Sequence, residues 1–276
     1  MNRTRYGCLM VFGLVLAGSA GGALPAAQQR EAVGNEDWCR GENWGRDREG
    51  VCEVREYSLL AGAASLDVNA EPNGGIQVQG VQRGDIFVRA KVVAVASTEQ
   101  RAREIASAVR IDAAPDKVSA DGPTGLERNE HWSVSYRLEV PTNSSLSLRS
   151  TNGGISINDV EGKIEFRTVN GGVTLSRLGG DVRGRTSNGG VTVDLDGATW
   201  NGTGLDVETS NGGVKLSIPA QYSARLDAGT VNGGFNIDFP VNVQGRIDRQ
   251  ITADIGSGGP LIRVRTNNGG VRVTRK

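Results

Sequence analysis

Histidine is almost missing from this chain: His131 is the only one in 276 residues. Aromatic residues make up 5%, and cysteines number three. These shortages exclude chemistry. A Ser-His-Asp triad would have to recruit His131 from beside Trp132, and no Gly-x-Ser-x-Gly motif accompanies it. Charge of one sign is also lacking, since Lys plus Arg and Asp plus Glu both number 31. The basic surplus that nucleic-acid binding needs is therefore not there. Beyond Leu9 to Ala20, no apolar run approaches membrane-spanning length. What the chain does have in quantity is glycine, 40 residues without a collagen-like period, which suits thin strands and tight corners.

The glycines carry a repeat. Asn-Gly-Gly begins at Asn73, Asn152, Asn170, Asn188, Asn211, Asn232 and Asn268, and Ser257-Gly-Gly is a near copy. The steps from Asn152 to Asn170 and from Asn170 to Asn188 are 18 residues, and the next two are 23 and 21. A period of this size marks an architecture whose units bury their apolar faces only against neighbours. Counting from Asn as zero, apolar residues fall at −6, −4, +3 and +5, with Ser or Thr at −2. Ile164, Phe166, Thr168, Val173 and Leu175 around Asn170 show the pattern, and Gly184 replaces the −4 residue before Asn188. Period-two alternation is a strand signature. The Asn and Thr share the parity of the apolar set, so both are expected to point inward.

Two architectures use this grammar. In an antiparallel meander, Asn-Gly would form hairpin turns. In a parallel β-solenoid, each rung is a strand, an Asn-Gly-Gly corner, a second strand and a second corner, with rungs about 4.8 Å apart. Glu161-Gly162 and Gly179-Gly180 supply that second corner. Stacking would then align Asn152, Asn170, Asn188, Asn211, Asn232 and Asn268 as an amide ladder. The solenoid is the favoured reading: an all-β, parallel fold, right-handed by the crossover rule. One short helix, about 98–109, opens on the capping-box spacing Ser97-Thr-Glu-Gln100 and covers an end or side of the stack with Ala102, Ile105, Ala106 and Val109.

Four regions follow. Residues 1–27 read as a secretory signal, with Arg3 and Arg5 ahead of the apolar run and small residues Ala20, Ala23, Ala26 and Ala27 as cleavage points. Removing them leaves 29 basic against 31 acidic groups, a net charge of −2. Residues 28–56 form an N-terminal loop or cap, in which Cys39 and Cys52 are an even pair suited to a disulfide in an oxidising compartment. Trp38 and Trp44 beside it also raise the reading of a carbohydrate platform. Two cysteines without nearby histidine are too few for a metal site. Residues 57–140 are irregular first turns, with Glu71-Pro72 suggesting a bulge, and 141–276 are the regular repeats. The inserted loop Asp196 to Gly204 should leave Trp200 exposed or folded over an edge, and Asn201 without partners.

Candidate chemistry is sparse. Asp194, Asp206, Glu208 and Asp238 are scattered over outward positions, and an apolar residue follows nearly every Gly-Gly where a calcium-binding repeat would need Asp. No cofactor is implied. Arg149, Arg167 and Arg185, each at −3 from a corner Asn, would stack one per rung and could be bridged by an anionic ligand. Solvated arginines are the plainer reading of the same column.

The Trp38-Cys39 to Cys52-Glu53 loop, the run Ser65-Leu-Asp-Val-Asn-Ala-Glu-Pro-Asn-Gly-Gly-Ile76 and the serial Thr-x-Asn-Gly-Gly-aliphatic corners resemble the bacterial putative-adhesin family of exported β-solenoid proteins. The resemblance spans about residues 36–276. It implies export and a loose link to surface adhesion or envelope stress systems, and it supplies no catalytic residues. The expectation is a non-catalytic protein of the periplasm, outer envelope or exterior that binds a glycan, lipid headgroup or envelope protein along its flank. It would have no integral membrane segment after signal cleavage. The other class is a carbohydrate-active enzyme on the same scaffold, which a groove holding two or three close carboxylates would favour.

Overall fold

A computed structural model describes residues 28–30, 36–42, 44–45, 47–238 and 249–276; the expected leader, 1–27, lies outside them. The chain is a parallel β-solenoid whose two flanks are an 11-stranded sheet (sheet A) and a 10-stranded sheet (sheet B). Each rung runs up one sheet-B strand, turns at Asn-Gly-Gly, and continues along a sheet-A strand. In stacking order, the first rung is Leu66–Asn69 with Ile76–Val81, and the second is Leu146–Arg149 with Ile155–Asn158. The third and fourth are Glu161–Asn170 with Val173–Ser176, and Gly179–Asn188 with Val191–Asp194. The fifth is Gly204–Asn211 with Val214–Ile218.

The next two rungs exchange order. Leu261–Asn268 with Val271–Arg275, last in the sequence, pairs directly with the fifth rung and is the sixth of the stack. Ala224–Asn232 with Phe235–Ile237, which precedes it in the chain, lies outside it as the seventh. The C-terminal segment is thus slotted into the stack, an arrangement that serial repeats do not announce. Gln250–Ile255 closes the sheet-B side by antiparallel pairing to Ala224–Asn232.

At the other end sheet A continues beyond the first rung. His131–Pro141 pairs in parallel with Ile76–Val81, then antiparallel with Asp85–Ala96, which pairs antiparallel with Glu49–Leu60. Sheet B is extended by the hairpin Arg110–Ala114 and Lys117–Asp121, in a region without the repeat. The helix Glu99–Ala108 packs its buried Ala102, Ile105 and Ala106 against these end strands. Its N-cap is Thr98, whose hydroxyl accepts from the Arg101 amide, one residue later than the capping-box spacing placed it.

In-register stacking makes the core a set of apolar columns. Ile155, Val173, Val191, Val214 and Val271 form one across adjacent sheet-A strands, all 3% exposed or less. On sheet B, Phe166 lies directly opposite Gly184, and any Cβ at Gly184 would sit 2.4 Å from the Phe166 ring. The missing side chain therefore makes room for the large one, and the column stays filled.

The corners depart from expectation in one respect. The Thr or Ser at −2 points inward: Thr168 is fully buried and Thr186, Thr209 and Thr266 nearly so. The Asn does not. Asn152, Asn170, Asn188, Asn211, Asn232 and Asn268 have exposed side chains, because they stand where the strand gives way to the corner and alternation no longer sets their direction. They nevertheless form a continuous amide ladder. Asn152 donates to Asn73, Asn170 to Asn152, Asn188 to Asn170, Asn211 to Asn188, Asn268 to Asn211 and Asn232 to Asn268, at 2.8–3.0 Å. A second ladder runs inside it. Ser150, Thr168, Thr186, Thr209, Thr266 and Thr230 each donate to the carbonyl of a corner glycine in a neighbouring rung, every one at 2.8 Å. Glycine is required at the first corner position by close approach: a Cβ at Gly171 would lie 2.1 Å from the Gly153 carbonyl oxygen.

Two further expectations are corrected. Trp200 is 4% exposed, with its indole N–H donating to the Gly180 carbonyl at 2.9 Å, so the inserted loop folds its ring inward. Asn201 is not without partners, since its amide donates to Glu161 at 2.9 Å. At Glu71-Pro72 the peptide bond is cis.

Candidate functional site

The outer face of sheet B carries the arginine column. Strand pairing sets Arg149 beside Arg167 and Arg167 beside Arg185, one per rung, and Glu208 continues the column in the fifth rung. All three arginines are exposed. They border an open depression of about 440 Å³, to which Arg183, Glu165 and Glu208 also contribute.

The partners within this face are uneven. Arg149 donates to Asp67 at 2.9 Å, and Ser147 donates to the same carboxylate at 3.2 Å. Arg183 is paired with Asp181, Glu165 with Lys163, and Asp206 with Arg263. Farther along, Asp227, only 8% exposed at its side chain, takes both Arg263 and Arg265. Among the described residues no carboxylate lies within ion-pair distance of Arg167 or Arg185. Like charges on neighbouring strands repel; Glu208, in register beside Arg185, offsets this only in part, and among the described residues neither guanidinium forms an ion pair. A bound anion would offset the rest. Guanidinium presents a planar fork of donors suited to carboxylate and phosphate oxygens.

Of the candidate acids only Asp206 and Glu208 are brought together, two residues apart on one strand of sheet B and both lining the arginine depression with Glu165. Asp194 lies on sheet A, where it pairs with Lys276 at 2.5 Å. Asp238 is exposed just beyond Phe235–Ile237. His131 opens the strand His131–Pro141 at the opposite end, and burial, with Arg48 nearby, pushes its pKa below 6.5.

Cys39 and Cys52 are disulfide-bonded with a Cα–Cα distance of 5.7 Å. Cys52 lies on Glu49–Leu60, so the bond ties the short helix Glu36–Cys39 to the second strand of sheet A. Trp38 is thereby held over the sheet, with the Arg137 guanidinium carbon 4.0 Å and Lys91 Nζ 5.4 Å from its ring centroid. Trp44 covers Gly50, where a Cβ would meet its ring. No periodic signal pointed to Lys91 or Arg137, because both come from the non-repeating strands that extend sheet A. Among the described residues no helix is long and apolar enough to cross a membrane.

Comparison with known proteins gives a family. The family model described as Toastrack DUF4097 matches residues 65–274. No curated protein matches the chain. Among solved structures, a putative cell adhesion protein from Clostridium sporogenes aligns over 83% of this chain and all of its own, at 10% identity and a TM-score of 0.41. A putative adhesin from Bacteroides fragilis aligns over 82% of this chain and 97% of its own, at 9% identity and a TM-score of 0.35.

Proposed function

We propose that this chain, which belongs to the Toastrack DUF4097 family, is an exported, non-catalytic protein of the cell envelope or surface that binds an anionic ligand along one flank. One observation carries the reading: Arg149, Arg167 and Arg185 stand in register on sheet B, and the last two have no carboxylate partner among the described residues. Parallel stacking repeats the guanidinium at each rung, so a ligand with several anionic groups engages more than one. Acidic surface polysaccharides and anionic lipid headgroups both have that character. Asp194 and Asp238 lie away from the arginine column and Asp206 is engaged by Arg263, which supports a binding rather than a hydrolytic role, since glycosidic cleavage needs two carboxyls flanking one bond. Export fits the Cys39–Cys52 disulfide, a bond that persists in oxidising compartments.

The test is charge reversal. The triple variant Arg149→Glu, Arg167→Glu, Arg185→Glu should lose at least about tenfold in affinity for vesicles rich in anionic lipid or for an acidic polysaccharide. Measurement at low ionic strength exposes surface electrostatics most clearly. Unchanged binding there would leave the column as solvated arginines and overturn the reading.

A further inference from the structure

On the other flank, a groove runs along the outer face of sheet A at the end held by the disulfide. It encloses about 370 Å³, with Trp38 and Lys91 on one side and Gln77, Ser156 and Thr174 on its floor. Those three floor residues occupy one column across adjacent strands: Gln77 pairs with Ser156, and Ser156 with Thr174. Beside them the second corner glycines Gly75, Gly154 and Gly172 also line it, as does Ser135. Gly154 and Gly172 are exposed, so the corner offers bare backbone with no side chain standing above it.

The chemistry of this lining is specific. No carboxylate contributes to it, and its single cation, Lys91, is already paired with Glu42 at 2.6 Å. Arg137, stacked on Trp38, also donates to Gln77 at 3.0 Å. Both cations beside the groove, Lys91 and Arg137, are thus engaged by partners within the protein, unlike Arg167 and Arg185 on the other flank. What it presents is one large amphipathic ring, hydroxyls and an amide in a regular row, and unencumbered backbone. A ring of this kind offers a broad apolar face at low conformational cost, and the hydroxyl row both donates and accepts. Arg137 and Lys91 come from adjacent antiparallel strands of one sheet, and the disulfide fixes the residue next to Trp38, so the ring is positioned before any ligand arrives. Preorganisation of this sort lowers the cost of binding.

We infer that this groove is a binding site for a neutral glycan, with a sugar ring set against Trp38 and its hydroxyls exchanged with Gln77, Ser156 and Thr174. The site is separate from the anion-binding flank and does not depend on it.

Calorimetric titration of the purified protein with cellohexaose, chitohexaose and hexagalacturonate tests the inference. Saturable binding of at least one neutral hexasaccharide is expected, at least about tenfold tighter than that of hexagalacturonate. Trp38→Ala should abolish it. Because that change can loosen the cap, Thr174→Arg serves as a second variant, filling the floor from a rung that the cap does not touch; it should weaken binding at least about tenfold. The triple arginine-to-glutamate variant should bind the neutral sugar as the parent does, so failure of either site is read independently. Absence of binding by both neutral hexasaccharides, equal or stronger binding of hexagalacturonate, or binding that survives Thr174→Arg would each overturn the proposal.

Discussion

At the corner of each rung, two polar side chains two residues apart have different tasks. Thr168 is fully buried and its hydroxyl is the donor to the Gly153 carbonyl, while Asn170 is exposed and exchanges amide bonds with Asn152 and Asn188. Water can replace lost bonds at the exposed position and cannot reach the buried one. Thr168→Val keeps the branched shape and strands a buried carbonyl, so it should cost about 1–3 kcal/mol. Asn170→Ala should cost about 1 kcal/mol or less, since its bonds are made at the surface. Urea unfolding of the two variants decides the order, and a larger loss in Asn170→Ala would show that the outer ladder carries the corner. The sequence pattern placed both residues at the corner but assigned them the same inward parity. Period-two alternation is a property of extended backbone, and it lapses where the strand ends. The Asn stands at that limit, as the last residue of its strand, which no count of spacing reveals.

At the level of elements, the repeat made the stacked strands and the arginine column legible, because in-register pairing translates a constant offset from Asn into adjacency. The non-repeating end was less so. Its hairpin Arg110–Ala114 and Lys117–Asp121 has no Asn-Gly-Gly to mark it, and the helix beside it is fixed by contacts distant in sequence. Arg55 donates to the Val109 carbonyl and, at 2.9 Å, to the Ala106 carbonyl, which also accepts from the Val109 amide at the helix end. Arg101 clamps the other side, donating to both oxygens of Glu130 at 2.8 and 3.1 Å. The hydrogen bond from Arg101 holds the Glu130 carboxyl below its ordinary value of 4.5, outweighing the opposing effect of desolvation. A depressed carboxyl pKa contributes stability that is complete above the unfolded value and disappears as pH falls through the folded one. Denaturant stability measured from pH 7 downward should therefore fall below about pH 4.5. Asp85 and Asp159, each also lowered by an arginine hydrogen bond, add to the same limb. Glu130→Gln should be less stable than the parent at neutral pH, and the gap should narrow on acidification. A gap that stays constant with pH would mean that the Arg101–Glu130 pair does not titrate with folding.

Across the whole molecule, the stack order is what spacing alone does not reveal. The step from Asn232 to Asn268 is twice 18 residues, yet the second of these corners lies inside the first in space. Apolar content accounts for the exchange. The C-terminal rung brings Ile262, Val264, Val271 and Val273, each 2% exposed or less, and is fit to be covered on both sides. The rung before it brings Ala228, Gly229 and an exposed Val231, with Phe235 and Ile237 only partly buried, so it loses less by standing at the end. The five residues between Ile218 and Ala224 easily span the extra strand spacing of about 4.8 Å. Residues 224–237 consequently find their parallel partners only in chain that follows them. Ending the protein after Ile255 removes those partners. Hydrogen exchange of the truncated protein should show protection lost throughout 224–237, while 146–194, stacked on intact neighbours, keeps most of its own. Rung-wise stability of this kind is what a repeat array with nearest-neighbour coupling requires. The competing outcome is specific: residues 224–237 carry the same Asn-Gly-Gly grammar, and direct docking of Asn232 beside Asn211 would preserve their protection. Retained protection would show that chain order suffices to build the stack, and that the C-terminal rung displaces a pairing the rest of the chain can already make.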